Sequence, residues 1–469
     1  MTLTPLSVLP QVPGARVVGK LPTVFTRVHS DTRSMQAGDV FIALQGDRFD
    51  AHAFLSQLPA LGVHTAVATH GLAQAGLHGV EVPNTRKALG AWASLWRAQL
   101  SLPMIAITGS NGKTTVTQMV ATMLRAAAGD AALATQGNFN NDIGVPLTLL
   151  RLRADHRLAV VELGMNHPGE IGDLARLAQP TVALVNNAQR EHQEFMGSVE
   201  AVARENACVF AALPEGGVGV FPHDDAFAAL WRSLLQQVQP LAQAWTFSST
   251  NTQADVYAQA QWRSDHWHLE LQTPVGPAST TLKLAGVHNV HNALAAATCA
   301  LAAGVALTAV CEGLAAFEAV KGRSSLVPLK LPHGPLTLID DSYNANPDSV
   351  LAAIAVLHSL PAPRWLILGD MGEVGDNGLA FHQEVLTQAL NLGLERVDVT
   401  GEWMAQACST LGEHPALNHW AQADELIACA PNLVQGMASV VVKGSRFMRM
   451  ERVVDALRSA SSKGQHHVA

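Results

Sequence analysis

The stretch MIAITGSNGKTT, residues 104–115, decides the fold, because a short apolar run passes into a glycine-rich turn with one lysine and two threonines. The pattern predicts a buried parallel strand over residues 104–107 and a helix over residues 116–128. A polyphosphate fits on the N-terminus of such a helix, where unpaired N–H groups and the helix dipole favour negative charge. The alternative is an ordinary strand, turn and helix with a surface lysine, but the unbroken GKTT favours nucleotide binding.

The residues of this turn have distinct predicted roles. Gly109 and Gly112 let the backbone turn so that its N–H groups point inward. Lys113 can reach the β- and γ-phosphates, and the Thr114 hydroxyl can reach a magnesium ion. The commonest form of the motif has an outer glycine where Ile107 stands here. We predict that ATP contacts this run of residues, namely Gly109, Ser110, Asn111, Gly112, Lys113, Thr114 and Thr115.

The composition indicates a large, folded protein. A chain of 469 residues is too long for one hydrophobic core and predicts about three domains. Apolar residues make up 48% of it and charged residues 14%, so disorder is excluded. The net charge of −8, without a basic block, disfavours nucleic acid as a partner. The 5 cysteines show no CxxC pair, which disfavours disulfides and zinc sites and favours the reducing cytoplasm.

No membrane segment is predicted. The first 20 residues lack a positive leader before an apolar run, so we expect no secretory signal. Residues 293–310 carry no charge, but they are mostly alanine and contain few of the large apolar residues that insertion requires. We predict two helices of a soluble domain that meet at Gly304.

Polar side chains follow the predicted strands after the turn. The alternation of strands and helices over residues 84–325 predicts a doubly wound parallel sheet, which binds ligands at the carboxyl ends of its strands. A strand over residues 158–162 delivers Glu162 at its end, where a second magnesium ligand is needed. A strand over residues 181–186 leads to His192. A lone loop histidine is usually a surface residue, but this position favours a role in the site.

Asparagines recur in the same block. The loop over residues 137–150 supplies several hydrogen-bonding side chains, among them Asn141, before Pro146 opens a helix. Asn289 and Asn292 stand three apart at a predicted helix start. Their amides can read a purine edge or cap the helix, and capping is the simpler interpretation of each alone.

The flanking blocks have their own strands. Residues 1–83 predict a small α/β unit, and its polar stretch over residues 30–54 is either the rim of a polar ligand site or a set of ordinary turns. Residues 326–469 predict a second, smaller doubly wound sheet. Its strand ends carry DDSYNANPDS, GDMGE and KGSR, and three polar motifs at the carboxyl ends of parallel strands indicate a site.

The order of these motifs resembles a known family. TGSNGKTT, NNDIGVPLT, ELGMNHPGEI, HNVHNALAA, KGR, DDSYNANPDS, LGDMGE and KGSR are similar, over nearly the whole chain, to the Mur ligases of peptidoglycan synthesis. Within that family, ELGMNHPGEI and DSYNANPDS look like the branch that adds D-alanyl-D-alanine. The DNPR motif typical of the branch that adds the third peptide residue is absent from the sequence.

The resemblance implies three α/β domains: a UDP-sugar domain (1–83), a central ATPase domain (84–325) and a Rossmann-like domain (326–469) that closes on ATP and binds D-alanyl-D-alanine. It implies ATP and Mg²⁺ as cofactors and a cytoplasmic enzyme, expected to be a monomer. It implies that Lys113, Glu162 and His192 are catalytic. Thr114, Glu162 and His192 are the implied metal ligands. The implied adenine contacts are Asn289 and Asn292, and the implied closure onto ATP uses Arg323 and Asp341. The residues implied on the substrate side are Ser30, Asp31, Thr32, Arg33, Gly46, Asp50, His52, Asn141, Asn344, Asn346, Lys443 and Arg446.

One position departs from the family pattern. The family usually has a carbamylated lysine that bridges to a second magnesium ion, and counting from His192 this place falls on Asn206. The neighbouring Glu205 can offer a carboxylate directly. Our hypothesis is that Glu205 replaces the carbamate as a metal ligand.

The implied chemistry is the ATP-dependent joining of UDP-N-acetylmuramoyl-tripeptide and D-alanyl-D-alanine through an acyl phosphate. Alternatives are a folylpolyglutamate-synthase-like ligase, the third-residue-adding Mur ligase, and a nucleotide-dependent switch that makes no product. The folate enzyme does not need the first block, and a switch does not need a third block rich in polar strand ends.

Overall fold

The computed structural model describes residues 4–46, 49–191, 193–331 and 334–463. Short strands begin the chain: β1 (Arg16–Val18), β2 (Val28–His29), β3 (Val40–Ile42), β4 (Gln45–Gly46), β5 (Phe49–Asp50), β6 (Thr65–Ala68) and β7 (His78–Glu81). They form a first sheet of order β1-β7-β6-β3-β2, in which only the pairing of β1 with β7 is antiparallel, and a separate hairpin of β4 and β5.

The central sheet contains the glycine-rich turn. Its strands are β8 (Met104–Thr108), β9 (Ala132–Ala134), β10 (Leu158–Glu162), β11 (Val182–Val185), β12 (Val218–Pro222), β13 (Gln243–Ser248), β14 (Val256–Arg263), β15 (His266–Thr273) and β16 (Gly276–Leu282). Their order is β16-β15-β14-β13-β12-β11-β8-β10-β9, so β8 lies between β10 and β11 and is parallel to both. The predicted parallel sheet is confirmed, and β15 and β16 extend it antiparallel.

A third sheet completes the strand structure. Its strands are β17 (Ser325–Leu331), β18 (Gly334–Asp341), β19 (Arg364–Gly369), β20 (Arg396–Thr400), β21 (Leu417–Trp420) and β22 (Ser439–Lys443). The order is β17-β18-β22-β19-β20-β21, with β17 antiparallel to β18 and the other pairs parallel. Because β18, β22 and β19 are neighbours, the turns that follow them meet at one edge of the sheet.

Helices cover the faces of the central and third sheets. They are α1 (Pro5–Val8), α2 (Thr85–Arg97), α3 (Lys113–Ala128), α4 (Gly144–Leu149), α5 (Glu170–Ala178), α6 (Gln193–Met196), α7 (Val199–Ala207), α8 (Ala228–Val238), α9 (Val287–Ala302), α10 (Leu307–Ala315), α11 (Pro347–His358), α12 (Gly378–Asn391), α13 (Glu402–Leu411), α14 (Ala423–Leu433) and α15 (Glu451–Lys463). The segment Ala51–Leu61 is a 3₁₀ helix with Pro59 inside it.

One hydrophobic core joins the first sheet to a face of the central sheet through α2. Trp92 and Trp96 lie one turn apart on α2 and are fully buried, as the sequence predicts. Their indole N–H groups donate to the carbonyls of Pro5 (2.7 Å) and Leu152 (3.2 Å). The first block is therefore packed against the central sheet by large apolar side chains whose polar atoms are also satisfied.

The alanine-rich stretch forms two helices, as predicted. α9 ends at Ala302, α10 begins at Leu307, and Gly304 between them has the left-handed φ of +83°. Within the residues that the structure describes, none of the helices has the length and apolar character needed to cross a bilayer.

Candidate active site

A cleft of about 920 Å³ lies between the carboxyl ends of the central strands and those of the third sheet. The glycine-rich turn and the loops after β10 and β11 form one wall. The start of α9 and the turns after β18 and β22 complete the cleft, and these two turns lie on its opposite wall. Both sheets thus present the edge at which parallel sheets bind ligands.

The glycine-rich turn requires its glycine at position 112. Gly112 has φ +83°, and a Cβ there would lie 2.3 Å from the side-chain oxygen of Asn292. The loop after β11 supports the turn, since the N–H groups of Ser110 and Asn111 donate to the backbone and side-chain oxygens of Asn187 at 3.2 and 2.8 Å. α3 starts at Lys113, three residues earlier than predicted, because the turn ends in the left-handed Gly112.

The Lys113 ammonium has three acceptors around it. It donates to the carbonyls of Gly109 (2.7 Å) and Ser110 (3.0 Å) and to the Glu191 carboxylate (2.8 Å). Lys113 and Glu191 are both largely buried, with side chains 15% and 13% exposed. A polyphosphate held by the turn therefore competes with Glu191 for this ammonium.

Glu162 comes together with Thr114, as predicted from their places at the ends of β10 and the turn. One carboxylate oxygen of Glu162 accepts hydrogen bonds from the Thr114 hydroxyl (3.0 Å) and the Asn140 amide (2.8 Å). The other oxygen is buried without a hydrogen-bond partner. Leaving a buried carboxylate oxygen unsatisfied is costly, and a cation would satisfy it.

The described residues do not supply a cluster of side-chain ligands for a metal ion at Glu162. Among the described residues, no group of three or more His, Cys, Asp or Glu side chains is arranged to hold a metal. Magnesium commonly binds through one or two carboxylates together with phosphate oxygens and water. The donor set of Glu162 and Thr114 fits such a magnesium ion.

The third sheet brings its predicted residues to the opposite wall. The Lys443 ammonium donates to the Asp341 carboxylate (2.6 Å) and the Asn344 carbonyl (2.8 Å). The Arg323 guanidinium lies 4.1 Å from the centre of the Tyr343 ring. Each of these residues lines the cleft.

Asn346 connects the two walls. Its side-chain amide and that of Asn111 in the glycine-rich turn exchange hydrogen bonds of 2.9 and 3.3 Å. Asn346 is also the N-cap of α11, where it forms a capping box with Ser349. The start of α11 is therefore held directly against the glycine-rich turn.

Asn289 and Asn292 line the cleft and belong to one hydrogen-bonded chain. The Asn292 amide donates to the Asn289 side-chain oxygen (3.1 Å), and the Asn289 amide donates to the Ala285 carbonyl (2.7 Å). The N-cap of α9 is Gly286, and no side chain caps this helix. The interpretation of these asparagines as caps is therefore wrong, while their contact with adenine stays a prediction.

Several predicted residues lie elsewhere or cannot be placed. Asn141 lines the cleft and accepts the N–H of Gly144 at the start of α4 (2.9 Å). Arg446 does not line it; its guanidinium pairs with Glu451 (3.0 Å) and lies 5.6 Å from the Tyr343 ring. His192 lies outside the described residues.

Glu205 is not brought to the cleft. Its carboxylate is buried and accepts the N–H of Ile171 at the start of α5 (3.0 Å). The adjacent Asn206 is fully buried, accepts the Thr108 hydroxyl (2.6 Å) and donates to the Val202 carbonyl (3.0 Å). The role of Glu205 as a metal ligand stays a prediction, and the structure gives its carboxylate a different partner.

The predicted UDP-sugar residues, here called the first-sheet group, lie after β2 and in or just after the separate hairpin of β4 and β5. Hydrogen bonds from Arg33 lower the pKa of Asp31 to about 2. The His52 ring contacts the Asp50 carboxylate (2.5 Å) and accepts the N–H of Thr69 (2.9 Å). None of the group lines the cleft; its members are Ser30, Asp31, Thr32, Arg33, Gly46, Asp50 and His52.

Some cleft residues escape sequence reasoning. Glu191 holds Lys113, and Gln189 accepts the Asn111 amide (2.6 Å). His288 and Tyr343 also line the cleft. Only the position of Glu191 and Gln189 just after a strand of the sheet could have indicated them, since the three-dimensional pairing with the turn is not visible in their spacing.

Comparison with known proteins agrees with this architecture. The family model described as the Mur ligase middle domain matches residues 107–300, and the one described as the Mur ligase, glutamate ligase domain matches residues 322–446. The UDP-N-acetylmuramoyl-tripeptide--D-alanyl-D-alanine ligase of Escherichia coli (strain K12) is 40% identical over 92% of this chain and 93% of its own. The enzyme of the same name from Haemophilus influenzae is 37% identical over 96% of this chain and 97% of its own.

A solved structure is also similar over nearly the whole chain. The crystal structure of MurF from Acinetobacter baumannii superposes with a TM-score of 0.87 at 34% identity, covering 98% of this chain and 99% of that one. The similarity thus extends over all three sheets, beyond the glycine-rich turn alone. The chain belongs to the Mur ligase family of ATP-dependent ligases.

Proposed function

We propose that this chain joins D-alanyl-D-alanine to UDP-N-acetylmuramoyl-tripeptide, with cleavage of ATP, to form the pentapeptide precursor of peptidoglycan. The observation that carries the proposal is the shared cleft. Lys113 and Glu162 on the central sheet face Asn344, Asn346 and Lys443 on the third sheet. Relatives with this activity in their names match more than nine tenths of the chain.

The reaction begins with activation of a carboxylate. The terminal carboxylate oxygen of the tripeptide attacks the γ-phosphorus of ATP, the bond from that phosphorus to the bridging oxygen breaks, and ADP leaves. Lys113, held by the turn, is placed to neutralise charge on the transferring phosphoryl group. The amine of D-alanyl-D-alanine then attacks the acyl carbon, inorganic phosphate leaves and the amine loses a proton. No side-chain nucleophile is needed.

Magnesium is the metal that we propose for the site. Glu162 and the Thr114 hydroxyl would hold it, because one Glu162 oxygen is buried without a partner. Bound magnesium would supply positive charge to the phosphate oxygens. Asn140 keeps the Glu162 carboxylate oriented by its hydrogen bond (2.8 Å).

The remaining site residues are proposals as well. Asn289, Asn292, Arg323 and Asp341 would contact ATP, and the third sheet would hold the dipeptide. The first-sheet group defined above would bind the UDP-muramoyl part. We keep the division into domains 1–83, 84–325 and 326–469, which is supported by the spans of the three sheets in the chain.

Location and assembly are proposed from the cysteines and from the cleft. The cysteines, all free in the structure, suit a reducing compartment, so we propose that the chain acts in the cytoplasm. We propose a monomer, because one chain supplies both walls of the cleft.

Phosphate release from ATP tests the proposal. We expect release only when Mg²⁺, UDP-muramoyl-tripeptide and D-alanyl-D-alanine are all present, with the UDP-pentapeptide identified by mass. Lys113→Met should abolish release, whereas Lys87→Met, at an exposed position on α2, should leave it unchanged. ATP cleavage without either peptide substrate, or amide formation from a folate and glutamate, would overturn the assignment.

A further inference from the structure

Arg190 links the loop after β11 to the helices of the third sheet. Its guanidinium donates to the Asp348 carboxylate at 2.7 and 3.1 Å and to the Glu384 carboxylate at 2.6 and 3.2 Å. Its backbone N–H also donates to Asp348 at 2.8 Å. The guanidinium lies 5.2 Å from the centre of the Phe381 ring, so carboxylates and an aromatic face surround it.

The contact is more than a surface ion pair. The side chains of Arg190 and Asp348 are each 23% exposed, and two guanidinium N–H groups donate to the same Asp348 oxygen. The pair with Glu384 is bidentate, since two N–H groups donate to its two carboxylate oxygens. Bidentate arginine–carboxylate pairs are directional and hold their partners in one orientation. Asp348 lies in the first turn of α11 and Glu384 lies on α12, so Arg190 contacts two helices of the third sheet at once.

The neighbours of Arg190 contact the opposite wall. Gln189 accepts the side-chain amide of Asn111 (2.6 Å), and Glu191 accepts the Lys113 ammonium (2.8 Å). Residues 189–191 are therefore fixed to the phosphate-binding turn on both sides of Arg190. A shift of this loop would move the turn and the third sheet relative to each other.

We infer that Arg190 is a positioning residue that sets the distance between the phosphate-binding turn and the dipeptide side of the cleft. It acts through α11, whose N-cap Asn346 lies two residues before Asp348 and already pairs with Asn111. The inference rests on the proposed function, because the acyl phosphate formed at one wall must meet the amine bound at the other. A small misplacement of the two walls lowers the rate of that step.

The test compares Arg190→Ala and Arg190→Lys with wild type in the complete reaction. We expect Arg190→Ala to lower kcat roughly 10- to 100-fold, because it removes a desolvated, hydrogen-bonded charge from two carboxylates. Arg190→Lys should recover only part of the loss, since an ammonium cannot make the bidentate contact. The Kd of Mg-ATP without peptide substrates should stay within about twofold, because Arg190 does not line the cleft. Arg204→Ala, which removes an exposed pair with Glu200, is the matched control and should leave kcat unchanged.

A double-mutant cycle and X-ray scattering separate positioning from loss of folding. Asp348→Asn should lose activity on its own, and the combination with Arg190→Ala should lose little more than Arg190→Ala alone. The scattering radius of Arg190→Ala should exceed that of wild type, with secondary structure unchanged by circular dichroism. The inference would be overturned if the double variant lost activity by the product of the two single losses. An unchanged kcat in Arg190→Ala would overturn it as well. Inactive wild-type protein would refute the proposed function instead, and the scattering comparison would then decide the role of Arg190.

Discussion

Replacement of Glu191 by glutamine should tighten the binding of ATP. In the structure the Glu191 carboxylate lies 2.8 Å from the Lys113 ammonium, and both side chains are largely buried. An incoming triphosphate must take over this ammonium and must also approach the negative charge of Glu191. The amide of glutamine keeps the shape of the side chain but carries no charge.

The magnitude follows from two contributions. Glutamine can still accept a hydrogen bond from the charged Lys113 ammonium, but the attraction between two opposite charges is lost. That attraction is about 1 kcal/mol at about 4 Å in a water-like medium, so competition for Lys113 should weaken by about 1 kcal/mol. The removed repulsion between Glu191 and the phosphates adds up to about 1 kcal/mol in a solvated cleft. Together these predict that the Kd of ATP falls roughly 5- to 30-fold, since about 1.4 kcal/mol corresponds to a factor of ten.

Isothermal titration with a non-hydrolysable ATP analogue and Mg²⁺ measures this change. Glu194→Gln removes one charge from an exposed residue on α6 and serves as the control, for which we expect the Kd of wild type. An unchanged Kd in Glu191→Gln would mean that Glu191 does not compete with phosphate. A raised Kd would mean that its carboxylate helps to bind the nucleotide or its metal.

Four further predictions concern other parts of the chain. Trp92→Ala should lower the free energy of unfolding by roughly 3–5 kcal/mol, and Trp92→Phe by less, because the first keeps neither the ring nor its bond to the Pro5 carbonyl; urea unfolding measures both. Burial lowers the pKa of His382 from its ordinary 6.5, more than the Gly378 carbonyl and the Asp370 carboxylate raise it. Neutral His382 therefore stabilises the fold above pH 6.5, and this contribution should be lost as the pH falls from 6.5 through the lowered pKa of the folded state; in unfolding titrations of His382→Gln this loss should be absent. Bicarbonate should not change the activity, since the amide of Asn206 cannot form a carbamate. Glu205→Ala separates the two roles of Glu205. If Glu205 only accepts the N–H of Ile171, the variant should have a lower melting temperature and an unchanged dependence of activity on Mg²⁺ concentration. If Glu205 is a metal ligand, the variant should need more Mg²⁺ for the same activity.

The sequence by itself determined the central and third sheets and many of the residues on both walls of the cleft. MIAITGSNGKTT could only be a strand, a turn and a helix start, because a buried apolar run, two glycines and GKTT leave the backbone few alternatives. Glu162 was predictable for a similar reason, since it ends a strand that neighbours β8, and strand ends share one edge of a sheet. The three polar motifs of the third block followed from the same rule.

Only the tertiary structure decided how these walls meet. The contacts of Arg190 with Asp348 and Glu384 join residues 158 and 194 positions apart, and no local pattern encodes such a pairing. Glu205 shows the converse, because its place beside Asn206 suggested a metal ligand while its carboxylate lies on the N–H of Ile171. A side chain on a helix can face a cleft or a neighbouring helix with the same sequence spacing. The choice depends on packing between elements that are distant in the chain, which is why the sequence predicted the chemistry of the site and the structure decided its partners.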